Sequence, residues 1–420
     1  MKQKLILHLL LLFLCFKLQS QEKIVFDIKI KGTKRTKTSF IKSLLKTKKG
    51  TTLDSITLNK DITQLKRLPA IGHAYYQIFH SHENLYNVFI HIEENFTIIP
   101  DLAFWTTTNN RFAYKLGVYD YNFLGRNIAL GGFYQNNGYN TYGISLRAPN
   151  LFSKKLGLAI NHQNWKSEEP LFFDNQTANY LYNNISSEIL GLYQVNPNHL
   201  LTFGVNYFTE KYQYLTGATS SEVPQNLEVD KVLYKLLYDY NNLEYYFHYV
   251  DGFKSSLTLQ YVTSTNNFQD TFFITWNDFF YYDRVGEKGN WANRLRIGLS
   301  SNNDSPFAPF ALDNNVNLRG VGILVDRGTG SIVYNTEYRH TFYDKKWLTI
   351  QGNAFFDAGT WRQPGGELND FFEDRNVRLF SGVGLRFINK KIYNAVFRID
   401  YGFSLKNQTN GLVFGIGQYF

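Results

Sequence analysis

Charged residues recur at fixed parity in the last third of this 420-residue chain. In Trp347–Trp361, Leu348, Ile350, Ala354 and Phe356 alternate with Thr349, Gln351, Asn353 and Asp357. A period of two sends alternate side chains to opposite faces of a strand, so Asp357 belongs to a polar face. The same parity aligns Asn335, Glu337 and Arg339 within 330–341, Arg378 and Arg386 within 377–387, and Arg398 and Asp400 within 395–405. Upstream, Leu318, Arg319 and Gly320 sit in a polar stretch at 302–327. A guanidinium forks onto a carboxylate and stays charged, so Arg319 is read as reaching into a barrel to meet Asp357. This is ion-pair chemistry rather than bond chemistry. His162, His199, His248 and His340 are scattered. No metal-spaced cluster, phosphate-binding glycine loop or serine elbow is present, so neither cofactor nor metal is expected.

The elements that must position these charges are strands. Aromatics make up 17% of the chain, with 30 Tyr and 36 Phe against one Met, a composition of sheets and membrane interfaces. Internally, no apolar run reaches the ~18 residues of a membrane helix. From residue 97 onward about sixteen alternating segments of roughly ten residues follow one another. Short turns at Lys154-Lys155, Asn196-Pro197-Asn198, Lys345-Lys346 and Lys390-Lys391 interleave with long loops near 166–178, 209–230, 302–328 and 362–375. A soluble β-sandwich shares the alternation, but a transmembrane barrel also explains the aromatics and the turn asymmetry. A charge on a lipid face costs roughly 2–4 kcal/mol near the midplane, so Glu337, Arg339, Asp357, Arg378, Arg386, Arg398 and Asp400 are expected on the inner wall.

Residues 1–21 read as a signal peptide: Lys2 and Lys4, an apolar run from Leu5 to Phe16, then Ser20. Leu14, not a small residue, precedes the single Cys15, so no lipid anchor is expected, and the mature chain holds no thiol. Residues 22–96 carry 13 Lys+Arg against 7 Asp+Glu, whereas 97–420 carry 28 of each. The basic module of an exported chain suits anionic headgroups or acidic polypeptide rather than nucleic acid. Its pattern predicts β-α-α-β-β: a strand ending at Gly32, a helix capped by Thr36 or Thr38, a second capped by Asp54 or Ser55, then strands at 73–80 and 85–93.

Ile28-Lys29-Ile30-Lys31-Gly32-Thr33-Lys34-Arg35-Thr36, followed by Gly50-Thr51-Thr52-Leu53-Asp54 in that element order, resembles one POTRA (polypeptide-transport-associated) domain. Leu318-Arg319-Gly320-Val321 resembles the Val-Arg-Gly-aromatic loop motif of the BamA-type outer-membrane assembly superfamily. Phe355-Phe356-Asp357-Ala358-Gly359 resembles its Phe-x-Asp-x-Gly strand motif. Tyr121–Gly125, Pro149–Phe152 and Val377–Gly382 resemble its turns and following strand. The resemblance implies an all-β transmembrane barrel at 97–420 behind a periplasmic POTRA-like domain at 22–96. It implies that the Arg319 loop folds into the lumen to pair with Asp357, near Glu337, while Gly320 lets the loop turn tightly. It also implies partners: outer-membrane lipids, unfolded outer-membrane or secreted polypeptides, and periplasmic accessory proteins.

The seam between first and last strands is the second candidate feature. Pro100 lacks a ladder donor, in the first strand or in a linker before it. Gly411, Gly415 and Gly417 loosen the last strand, and Phe420 closes it as an aromatic terminal residue of the kind the superfamily reads as an insertion signal. The expected function is insertion or translocation of polypeptides at the outer membrane. A two-partner-type secretion pore and a passive porin-like channel are the alternatives. Val321, where the motif has an aromatic, and a single POTRA-like module favour a specialised paralogue.

Overall fold

A computed structural model describes residues 22–106, 112–173, 176–219, 224–263, 271–303, 308–312, 317–321 and 326–420. The signal segment lies outside them. The N-terminal module is β1 (Ile24–Lys31), α1 (Thr38–Leu44), α2 (Ser55–Lys66), β2 (Ile71–His82) and β3 (Leu85–Glu94). Its sheet order is β1-β3-β2, with β1 parallel and β2 antiparallel to β3. Both helices cover one sheet face through Phe40, Ile41, Leu44, Leu58, Ile62 and Leu65, packed on Val25, Ile28, Val88, Ile90 and Ile92. Asp54 caps α2 by accepting from the Ile56 and Thr57 amides. The first cap differs from the expectation: neither Thr36 nor Thr38 serves, and Lys37 holds the cap position without a side-chain bond. Instead the Glu94 carboxylate, reaching across from β3, accepts from the amides of Lys34, Arg35 and Thr36.

The rest is one large antiparallel sheet: β4 (Ile98–Thr106), β5 (Phe112–Phe123), β6 (Ile128–Asn136), β7 (Asn140–Ala148), β8 (Leu156–Phe173), β9 (Gln176–Asn196), β10 (His199–Gly217), β11 (Asn226–Asn241), β12 (Glu244–Tyr246), β13 (Tyr249–Thr263), β14 (Phe272–Val285) and β15 (Gly289–Ser300). A small loop pair, β16 (Phe310–Leu312) with β17 (Asp326–Gly328), interrupts it. β18 (Gly330–Lys345), β19 (Leu348–Arg362), β20 (Val377–Asn389), β21 (Val396–Ser404) and β22 (Asn410–Ile416) complete it. β11 and β12 both pair with β13, so the seventeen segments occupy sixteen strand positions. The strand order sets β22 next to β4.

One face of this sheet exposes Leu116, Val118, Ile144, Ile189, Phe203, Leu259, Ile297, Val383, Phe397 and Phe414. The other carries the buried charges, Lys231, Asp278, Arg294, Glu337, Arg339, Asp357, Arg386, Arg398 and Asp400. Two stretches read as loops are largely strand: β8 and β9 take in 166–173 and 176–178, and β10 and β11 take in 209–217 and 226–230. Leu171, Ala178 and Tyr180 pack with Tyr212 and Tyr214 on these extensions, a separate apolar cluster that keeps the long hairpins paired.

Candidate functional site: the charged inner face

Register explains how the charges meet. Asn335 lies opposite Asp357 and Arg339 opposite Asn353 on the β18–β19 pair; Gln351 lies opposite Arg386, and Arg386 opposite Arg398. All project to the inner face, where Arg319, Glu337, Asp357, Arg386 and Asp400 are almost fully buried.

Arg319 is held from three sides. Its Nε and Nη2 donate to the two oxygens of Asp357, both at 2.8 Å, and its backbone amide donates to the same carboxylate at 3.0 Å. Nη1 donates to Glu337. The guanidinium also lies between rings, its carbon 3.7 Å from the Phe355 centroid and 4.4 Å from that of Tyr419. A planar cation can bond edge-on and stack face-on at once, which an ammonium cannot. Asn335 bridges Asp357 at 2.9 Å to the Asn317 carbonyl at 2.8 Å. Glu337 also accepts from Arg339 and, at 3.4 Å, Arg386; Asp400 accepts from Arg386 at 2.8 Å and Arg398 at 3.5 Å.

The loop is fixed by shape as well as charge. Leu312, Leu318 and Val321 pack against Val333, Trp361 and Phe380. Gly359 leaves the space Leu318 occupies: a Cβ there would lie 3.0 Å from the leucine. Gly320, at φ +97°, passes so close to the wall that a Cβ would sit 2.7 Å from the Gly402 carbonyl.

Other expected residues lie elsewhere. Arg378 is on the inner face but away from the cluster, where it pairs with Asp326 of β17 at 3.0 Å and covers Trp361. Phe420 is not on the last strand. β22 ends at Ile416, Gly417 turns at φ +90°, and the tail folds inward. Tyr419 stacks on Arg319 and Arg398, and the Phe420 carbonyl accepts from Arg339 at 3.1 Å. The glycines of β22 have packing reasons rather than entropic ones: a Cβ at Gly415 would strike the Arg398 guanidinium at 2.5 Å, and one at Gly411 would crowd Gly320. Sequence reading missed Phe355, Tyr419 and Gly402. Phe355 shares the parity of Asp357 and could have been found; Tyr419 depends on the turn at Gly417. Among the described residues no group of three His, Cys, Asp or Glu is disposed to hold a metal.

The POTRA family model, described as "Surface antigen variable number repeat", matches residues 24–95. Among solved structures, the sheet and module together superpose on BamA from Haemophilus ducreyi lacking POTRA domains 1–3, with TM-score 0.54 and 14% identity over 93% of this chain and 84% of that one. CdiB from Acinetobacter baumannii gives TM-score 0.59 at 13% identity, covering 95% and 74%. CdiB from Escherichia coli gives 0.60 at 10%, covering 94% and 73%. The chain carries a POTRA domain on the fold of BamA and CdiB. No curated protein matches the sequence.

The POTRA domain is fastened to two distant parts of the sheet. At one, Arg35 donates to Thr97 and Asp120 at 3.0 and 2.9 Å, buried Thr36 accepts from Asn122, and the Lys37 amide meets the Gly125 carbonyl. At the other, Arg67 at the end of α2 donates to the carbonyls of Leu243 and Pro197 and to Asn198, while His73 stacks on Phe247 at 4.8 Å. Arg67→Ala removes the second fastening and leaves the first. It is expected to raise protease cleavage and hydrogen exchange across residues 66–73 and 243–248 several-fold, with the sheet unchanged; equal protection in both proteins would refute a fastening role.

His248, in the turn after β12, adds a pH dependence. Burial pulls its pKa from 6.5 to about 4; Asp344 opposes this, and Lys390 and Arg284 reinforce it. The unfolded imidazole takes a proton near 6.5 while the folded one resists until about 4, so this contribution is full above 6.5 and is lost as pH falls through that window. The protection of residues 244–250 against hydrogen exchange, relative to the unfolded chain at the same pH, should therefore be constant above pH 7 and fall toward pH 4.5. A flat profile would contradict it.

Proposed function

We propose that the large sheet closes into a sixteen-position transmembrane barrel of the outer membrane, with the POTRA domain on the periplasmic side. Its role is to insert or translocate polypeptides without bond chemistry. The observation that carries this reading is the Arg319 loop, bound to the inner face by a bidentate ion pair beneath a POTRA domain. The exposed apolar face suits lipid contact, and the buried charges gathered on the opposite face suit a polar interior.

The β4–β22 junction is the proposed site of exchange with a client strand. The Tyr121 amide donates to the Thr97 carbonyl, so odd-numbered residues of β4 bond toward β5 and even-numbered ones point toward β22. Pro100, within β4 and opposite Val118, therefore lacks its donor on the seam side. Below it, Phe96 exchanges backbone bonds with Lys391 and Tyr393 at the β20–β21 turn while the tail after β22 turns inward. A junction short of ladder bonds at one end opens at lower cost than a fully bonded one.

The decisive test is depletion of the protein in its host, followed by quantification of other outer-membrane barrels and exported polypeptides. Loss of a defined set supports the proposal. Unchanged levels together with steady conductance by the purified protein, unaffected by deleting residues 22–96, would favour the passive channel.

A further inference from the structure

The POTRA sheet has a second face that no helix covers. Phe26, Tyr75 and Phe79 stand on it, 39%, 43% and 50% exposed, beside Lys29, Lys31, Gln77, Phe89 and His91. Solvated sheet faces normally carry polar residues, and a contiguous apolar patch marks a contact surface. The rings are organised: Phe79 meets Phe89 edge-on at 5.2 Å, and Tyr75 stacks on His91 at 4.8 Å. Through His73 the row continues to Phe247, in the turn between β12 and β13 of the large sheet. Lysines lie over these rings: Lys29 and Lys31 over Phe89 at 5.4 and 4.5 Å, and Lys49 over Phe26 at 5.5 Å.

We infer that this face, rather than a sheet edge, is a docking track for acidic, aromatic-bearing segments of unfolded polypeptide on their way to the sheet. The inference rests on the polypeptide-handling role proposed above and names the clients' chemistry. The ammonium groups over Phe89 and Phe26 attract a client carboxylate, while the exposed rings of Tyr75 and Phe79 offer surface to client aromatics. The module's surplus of 13 Lys+Arg over 7 Asp+Glu supplies charge complementarity. The rings stand in cross-strand pairs along β2 and β3, Phe79 with Phe89 and Tyr75 with His91, and lead through His73 to Phe247, a direction suited to an extended chain.

The test uses the full-length protein in neutral detergent micelles and two fluorescent synthetic peptides, one alternating Glu with Tyr and Phe, the other alternating Lys with the same aromatics. The acidic peptide should bind and weaken with salt; the basic one should not. The charge reversal Lys29→Glu with Lys31→Glu should weaken binding about tenfold or more, and Phe79→Ser by several-fold. Gln77→Glu, a single exposed change at the centre of the track that leaves the core untouched, should weaken it too, which separates loss of the surface from misfolding. Equal binding of both peptides, or binding indifferent to all three variants, overturns the inference. So does a surface that ignores the acidic peptide but binds phosphatidylglycerol vesicles in a Lys29- and Lys31-dependent way, since it would then be a lipid contact. Variants that lose the peptide while exported barrels assemble normally also overturn the track. Peptide binding that persists where depletion leaves other barrels unchanged would instead sink the assembly role and leave the acidic-peptide surface standing.

Discussion

Replacing Arg319 by alanine is expected to destabilise the folded protein by about 3–5 kcal/mol, because it strips Asp357 and Glu337 of a fully buried partner. Asp357→Ala should cost a similar amount, since it leaves the guanidinium with only Glu337 and the more distant Asp400, at 3.9 Å. The double variant should be little worse than either single one, because two buried charges disappear together. Arg319→Lys should fall between: charge is kept, but the fork onto Asp357 and the stacking between Phe355 and Tyr419 are lost. Chemical unfolding in micelles, read alongside heat-dependent gel mobility, measures all four. Additive losses would mean that Arg319 and Asp357 contribute independently.

Adding a side chain at Gly402 should have a comparably large effect for a different reason. A Cβ there would lie 2.4 Å from the Arg319 carbonyl, whereas at Gly411 the nearest loop atom is 3.3 Å away. Gly402→Ala must therefore push the loop off the wall, with a cost of about 1–3 kcal/mol from overpacking alone and more if the Arg319 bonds break. Gly411→Ala, which crowds the Gly320 backbone only at 3.3 Å, should have a clearly smaller effect. The readout is cleavage within 302–327 by added protease, expected to rise about tenfold for Gly402→Ala, and Gly402→Val should be worse still. Equal protection of the Gly402 and Gly411 variants would mean that the loop is not seated as described.

Much of this was legible in the residues. Period-two parity sufficed to send Glu337, Arg339, Asp357, Arg386, Arg398 and Asp400 to one face, because a strand allows only two. Parity cannot give height along the strand, which is why Arg378, on the same face, was grouped with the cluster although it pairs with Asp326. The long hairpins were mistaken for loops at 166–178 and 209–230 because their turn-forming and charged residues obscure the alternation of Leu171, Tyr180, Tyr182, Tyr212 and Tyr214. Phe420 continued a visible alternation, but Gly417 breaks it with a positive φ that a strand pattern does not register. The fastening by Arg67 was invisible: its acceptors are mostly backbone carbonyls of turns 130 and 176 residues away, and carbonyls leave no trace in sequence.

The uneven strands have a consequence for direction. β8–β11 run for 16–21 residues, while β4, β6 and β7 run for 9 and β21 and β22 for 9 and 7. At about 3.3 Å per residue the long strands exceed the short ones by roughly 20–45 Å of extended chain. The short side is the one where β22 meets β4. In the barrel proposed above, a polypeptide leaving at this junction would have short strands beside it and long ones opposite, so strand length alone would favour departure on the β22–β4 side.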